Sequence, residues 1–230
     1  MRFSAVIFDL DDTISDRGTC IRDYCDMFVL SHFSEFEQGS HSEISNYLFR
    51  RYNEDLGKDL SYFADVLSGH KSLSIFTPER LQLHYWKYTI EHLTPKDGAL
   101  RVILELRTAG VEVAILTNGR IANQRPKLFK LGLEGIVEHI AISDEIGYQK
   151  SDRRAYLHVM DRGGFSPEKT IMVGDCPRND VKGAINAGIS AAWVKNGREW
   201  AEPDYAPHYQ LNSLTEILGI VLDESRTTSA

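Results

Sequence analysis

The chain lacks the features of a disulfide scaffold, a zinc centre or a membrane anchor. Its three cysteines, Cys20, Cys25 and Cys176, are odd in number and form no Cys-x-x-Cys pair. Reduced thiols in a cytoplasm are the simplest reading. The eight histidines (His32, His41, His70, His84, His92, His139, His158 and His208) include no His-x-x-x-His pair, so the usual helical spacing for a transition metal is missing. No apolar run approaches the roughly 18 residues that span a bilayer, and no signal peptide is read at the start. Nor is there a Pro/Gly/Ser-rich linker. Positive charge is in the minority, with 26 Lys and Arg against 33 Asp and Glu and a net charge of −7. This argues against a nucleic-acid polymer as the main partner, and an anionic small substrate has to be drawn in by local positive charge or a metal. What remains is an ordinary globular composition, 42% hydrophobic and 26% charged over 230 residues, enough for a full core.

The stretch that organises the rest is Ala5-Val6-Ile7-Phe8-Asp9-Leu10-Asp11-Asp12-Thr13. Its apolar start reads as a strand buried on both faces, and it ends in three carboxylates and a hydroxyl. Carboxylates gathered at the lip of an apolar sheet either rise in pKa or require a cation. A polar turn with Asp12-Thr13 capping a helix accounts for these nine residues equally well. The later segments decide between the two.

From Ile14 to about Leu93 the pattern is helical. Tyr24, Phe28, Leu30 and Phe33 predict one helix, and Ile44, Tyr47, Leu48 and Tyr52 a second. Thr77 as N-cap and Pro78 open a third that carries Leu81, Leu83, Tyr85, Trp86, Ile90 and Leu93. After Pro95 strands and helices alternate. Strands are expected at Val111–Leu116, Val137–Ile142, Thr170–Val173 and Ser190–Val194. Helices are expected around Leu100–Leu104, from Ile121 to Leu131, from a Ser151/Asp152 cap to Asp161, from Asn179 to Ala187 and at Leu214–Leu222. Residues 224–230 read as a frayed tail. This rhythm predicts an α/β protein, a Rossmann-like doubly wound parallel sheet (residues 1–14 plus 95–230) with an all-helical insertion over 15–94.

In such a sheet ligands bind beyond the carboxyl ends of the strands, where strand order reverses. Asp9, Asp11 and Thr13 follow the first strand, Thr117 and Asn118 the second, Lys150 a loop after the third, and Asp175 with Asp180 the fourth. The set D-L-D-D-T, T-N-G, an isolated Lys and G-D-x-x-x-x-D resembles, in this order, the four motifs of the haloacid dehalogenase-like (HAD) hydrolase superfamily. The insertion after the first strand looks like the helical C1-type cap of its subfamily I, and the short run from second to third motif leaves no room for the other large cap. T-N-G-R-I-A-N-Q-R-P-K-L-F-K-L-G-L is similar to the branch holding 5′-nucleotidases and N-acylneuraminate-9-phosphatases. Two departures are Ser151, where a proline usually follows the lysine, and Cys176-Pro177, in a loop that is more often Ser-Leu-like.

The resemblance implies a Mg²⁺-dependent phosphatase acting on a small phosphorylated metabolite, a nucleotide or sugar phosphate. Asp9 is then the nucleophile that forms an aspartyl-phosphate, and Asp11 the general acid and base, a role suited to a carboxyl raised by its neighbours. Mg²⁺ falls to the side chains of Asp9 and Asp175 and the backbone carbonyl of Asp11, with Asp180 as an outer ligand or an orienter of Lys150. Thr117, the Asn118 amide and Lys150 hold the phosphoryl oxygens. Specificity is expected from the insertion, with Arg22, Tyr24, Phe28, Phe33, Tyr85 and Trp86 as candidates, although such rings equally suit a core. A monomer or homodimer without membrane contact is expected. A phosphomutase remains open as an alternative. A metal-free dehalogenase would leave Asp11 idle, and a silent binding protein would leave the whole acidic set without work.

Overall fold

The computed structural model describes residues 1–32, 38–54 and 78–223. Phe33, the Thr77 cap and the 224–230 tail lie outside them. In chain order, β1 (Ala5–Phe8) leads into α1 (Arg17–His32), α2 (Gln38–Glu54) and α3 (Pro78–His92). Next come α4 (Ala99–Thr108), β2 (Glu112–Thr117), α5 (Ile121–Lys130), β3 (His139–Ile142), α6 (Ser143–Ile146) and α7 (Arg153–Gly163). Then β4 (Thr170–Gly174) is followed by a π turn (Pro177–Lys182), α8 (Gly183–Ala187), β5 (Ser190–Val194), β6 (Tyr209–Leu211) and α9 (Ile217–Leu222). Contacts divide the chain into two compact units, residues 1–16 with 94–230, and residues 17–93. Among the described residues no helix is long and apolar enough to cross a membrane.

The larger unit is a six-stranded sheet of order β3-β2-β1-β4-β5-β6, parallel throughout. All four residues of β1 and all five of β4 are buried, as helices on both faces of a parallel sheet require. Ile7, Leu116, Met172 and Trp193 share one core with Tyr156 of α7 and Val181 of the π turn. From β1 the chain builds outward to β2 and β3, then returns to β4 on the other side of β1. The reversal lies between β1 and β4, whose register pairs Phe8 with Val173. The Asp9 amide extends that ladder by one bond, donating to the Val173 carbonyl at 2.9 Å. Any polar residue following β1 or β4 is thus delivered to the sheet's carboxyl edge.

Three local features were not legible in advance. Strand β6 has only three residues and pairs at the sheet edge, Ala192 opposite Tyr209, too short to show a period. Helix α6 is a single turn. The helix expected from Asn179 begins instead with the π turn, in which the Asp180 and Val181 amides both donate to the Cys176 carbonyl, at 2.9 and 3.4 Å. Such widened turns recur at functional sites.

The smaller unit packs α1, α2 and α3 around Tyr24. Its ring lies 5.3 Å from Tyr85, 5.4 Å from Tyr88 and 5.8 Å from Phe28, centroid to centroid. Ile21, Cys25, Val29 and Leu48 complete this core. Burial raises the Cys25 thiol to about 12, which makes it an inert packing group. Tyr24, Phe28 and Tyr85 are therefore part of this core, the second of the two readings open to such rings. Trp86 is half-buried against the same core, and Arg22 stacks on Phe49 with its guanidinium carbon 3.6 Å from the ring centroid.

Gly183 opens α8 where no side chain fits. A Cβ there would overlap the Lys150 carbonyl oxygen and come within 2.8 Å of the Tyr156 ring. Gly183→Ala is expected to cost about 1–3 kcal/mol by overpacking, read as a lower urea midpoint with an unchanged slope.

Candidate active site

Asp9 leaves β1 as its first polar residue and remains buried, 5% exposed. Its Oδ1 accepts from Lys150 Nζ, and its Oδ2 accepts from Thr13 Oγ1 at 3.2 Å. Lys150 is itself only 3% exposed and reaches Asp180 Oδ1 at 2.7 Å. The π turn brings Asp180 back over the strand end, where its Oδ2 accepts from the Cys176 amide at 2.8 Å. Gly174 makes room, since a Cβ there would overlap the Asp180 carboxyl. One ammonium thus lies between two buried carboxylates.

Electrostatics follow from that enclosure. Burial alone would lower Lys150, but Asp180 and Asp9 outweigh it and hold the lysine charged well above its ordinary value. Burial pushes the Asp9 carboxyl well above the usual carboxylate range; Lys150 opposes the rise, and Asp180 and Asp175 add to it.

Asp175 stands at the tip of β4 with its backbone and side chain both held. Its carbonyl accepts from Trp193 Nε1 at 2.8 Å and from Arg198 at 2.7 Å, and its Oδ2 pairs with the same Arg198 at 2.8 Å. Asp9, Asp175 and Asp180 each offer an oxygen within 4.8 Å of the others. Asp180 Oδ1 is buried and faces the Lys150 ammonium, at 2.7 Å. Three carboxylates that converge around one ammonium suit a hard divalent cation.

Asp11 is not one of that trio. Both its oxygens accept from Lys127 Nζ at 2.8 Å, and Oδ2 also accepts from Gln124 Nε2 at 3.1 Å. Expected among like charges, it faces a cation instead. Gln124 Nε2 also donates to Thr117 Oγ1 at 2.6 Å. Asn118 Oδ1 accepts from the Lys150 amide at 2.9 Å, which ties the tip of β2 to the loop after α6. The structure therefore brings Asp9, Lys150, Asp175 and Asp180 together, and joins Asp11 to Thr117 through α5.

Lys127, Gln124 and Arg198 were missed by sequence reasoning. For the first two a signal existed. Gln124, Lys127, Leu128 and Leu131 recur at the spacing of a core-facing stripe, and all four are buried. A glutamine and a lysine on that stripe mark a polar site beneath the helix. Arg198 stands in an irregular segment and carries no such mark.

The sequence model of haloacid dehalogenase-like hydrolases matches residues 3–188. The chain is 27% identical over 214 residues to glyceraldehyde 3-phosphate phosphatase of Methanothermobacter thermautotrophicus, covering 91% of this chain and 92% of that one. It is 25% identical to the pyrimidine 5′-nucleotidase YjjG of Escherichia coli, covering 94% and 97%. Its fold matches that of the magnesium-bound HAD hydrolase YfnB from Bacillus subtilis with a TM-score of 0.71 at 24% identity, over 96% and 99% of the chains.

A cation bound to the folded trio but not to the unfolded chain raises stability, by about 2.7 kcal/mol at a hundredfold excess over its dissociation constant. Millimolar Mg²⁺ is accordingly expected to raise the melting temperature, and Asp175→Asn to abolish the rise. A melting curve indifferent to Mg²⁺ in the unaltered protein would remove the cation from this site.

Proposed function

The chain belongs to the haloacid dehalogenase-like hydrolases, and from that premise we propose a Mg²⁺-dependent phosphatase that cleaves a small phosphate monoester, a nucleotide or sugar phosphate, through an aspartyl-phosphate on Asp9. The observation that carries this reading is the buried Lys150 ammonium between Asp9 and Asp180, with Asp175 completing an acidic trio at the switch of strand order. Relatives named as a glyceraldehyde 3-phosphate phosphatase and a pyrimidine 5′-nucleotidase support the same reaction class.

Phosphate monoesters are anions, so a carboxylate attacks them only with positive charge alongside. Lys150 supplies one such charge. Asp9, Asp175 and Asp180, with the Asp11 carbonyl, would hold Mg²⁺, which when bound neutralises phosphoryl charge and helps keep Asp9 ionised. The hydrogen bond from Thr13 and the contact with Lys150 fix the plane of the Asp9 carboxylate. In the first step an Asp9 oxygen forms the new bond to phosphorus, the ester P–O bond breaks, and Asp11 gives its proton to the leaving oxygen. In the second, Asp11 takes a proton from water as the hydroxyl attacks phosphorus, releasing phosphate and restoring Asp9. Thr117, the Asn118 amide and Lys150 hold the equatorial oxygens, on which charge spreads. The presence of Asp11 disfavours a dehalogenase.

The decisive experiment is hydrolysis of p-nitrophenyl phosphate with Mg²⁺ and with EDTA. Metal-dependent turnover is expected, and Asp9→Asn, in which Lys150 keeps Asp180 as its buried partner, should abolish it while the variant still unfolds in one cooperative transition. Activity retained within about tenfold in that variant, a barrier change near 1.4 kcal/mol, would end the covalent mechanism.

A further inference from the structure

The Lys127–Asp11 pair is not explained by stability. Lys127 is 2% exposed, whereas the other basic side chains of α5, Arg125 and Lys130, reach solvent. Burying Lys127 against Asp11, whose side chain stays 18% exposed, takes charge out of water, and an apolar pair of similar volume is often as stable or more so. What the pair does provide is orientation. An unheld aspartate two residues beyond a strand has several rotamers, and here both its oxygens are gripped at 2.8 Å by one ammonium. Ser15 Oγ adds a longer bond at 3.4 Å, and Gln124, one turn earlier on the same buried stripe, one at 3.1 Å. A carboxylate only accepts, so the group facing it is the amide NH₂. The other proton of that NH₂ goes to Thr117 Oγ1.

We propose that Lys127, with Gln124, is a positioning residue: it sets the Asp11 carboxyl against the leaving oxygen and locks it in register with Thr117. The proposal rests on the phosphatase reading and deepens it, since neither residue need touch substrate. Asp11 enters the first step protonated, gives that proton to the ester oxygen and returns to the carboxylate that Lys127 holds here, so it must lie at a fixed distance from that oxygen, while Thr117 fixes the phosphoryl group that carries it. Joining the two through one amide makes their separation a property of α5 rather than of two flexible tips. A displacement of about 1 Å at a reacting group can cost on the order of 10²-fold.

The test compares Lys127→Met and Lys127→Arg with the unaltered protein on substituted phenyl phosphates whose leaving groups run from p-nitrophenol to phenol, with Mg²⁺ present. The ratio kcat/KM reports the first phosphoryl transfer, and only poor leaving groups need the proton. K127M is expected to lose about 10²-fold in kcat/KM on phenyl phosphate and only a few fold on p-nitrophenyl phosphate. Its kcat on the latter should fall, with a burst of about one p-nitrophenol per enzyme, because the second step still needs Asp11 as base. K127R, which offers two parallel N–H groups to the same oxygens, should restore the shallow dependence on leaving group. An equal loss on every ester, or a loss without a burst, shows a merely structural role and overturns the proposal. Should K127M not fold, Gln124→Met must show the same tilt across the series, and a uniform loss there is equally decisive against it. An unaltered protein that hydrolyses no aryl ester fails the phosphatase reading before any variant is made, and the proposal falls with it.

Discussion

A buried ammonium among carboxylates constrains everything at the carboxyl edge of this sheet. Lys150, Asp9 and Asp180 are each at most 5% exposed, and none could be hidden alone, since an isolated ion in a protein interior costs several kcal/mol. Each is tolerable only while the others stay in place. That mutual requirement pins the end of β1, the π turn after β4 and the loop after α6 to one another. Gly174 and Gly183 are the steric counterpart, for each leaves the space that Asp180 or the Lys150 backbone fills.

Around this centre the charges divide into two sets. Lys150 serves Asp9, the proposed nucleophile, and Asp180. Lys127 serves Asp11, assigned the proton. Two carboxylates only two positions apart in sequence thereby meet separate cations, which in the proposed reaction would give them separate tasks. It is the logic by which environment, rather than residue type, sets the role of an acid. Arg198 adds a third cation on Asp175, so every carboxylate of the site has a basic partner in this structure.

The helical unit shows how far a pattern reading reaches. Aromatic residues at helical spacing correctly indicated helices, but spacing does not say whether a ring faces a core or a ligand. Tyr24, Phe28 and Tyr85 face the core, and only their packing against one another reveals it. Phe33 lies outside the described residues. The π turn was read as plain helix because its extra residue per turn leaves no mark in hydropathy.

By itself the sequence determined the architecture and the position of the polar residues along it. Strand period, helix stripe and turn chemistry are local properties, so apolar β1, β2, β4 and β5 could be read directly, as could Asp9 and Asp175 just beyond strand ends, Thr117 at the end of β2 and Lys150 in a connecting loop. The order of the motifs then pointed to the family. Tertiary structure alone decided which cation meets which carboxylate. Lys127 lies 116 positions from Asp11, and Lys150 lies 141 from Asp9. No local rule links residues so far apart, because their meeting depends on how α5 and the loop after α6 pack over strand ends that come from the start of the chain. The burial that makes those charges interact strongly arises only in that packing.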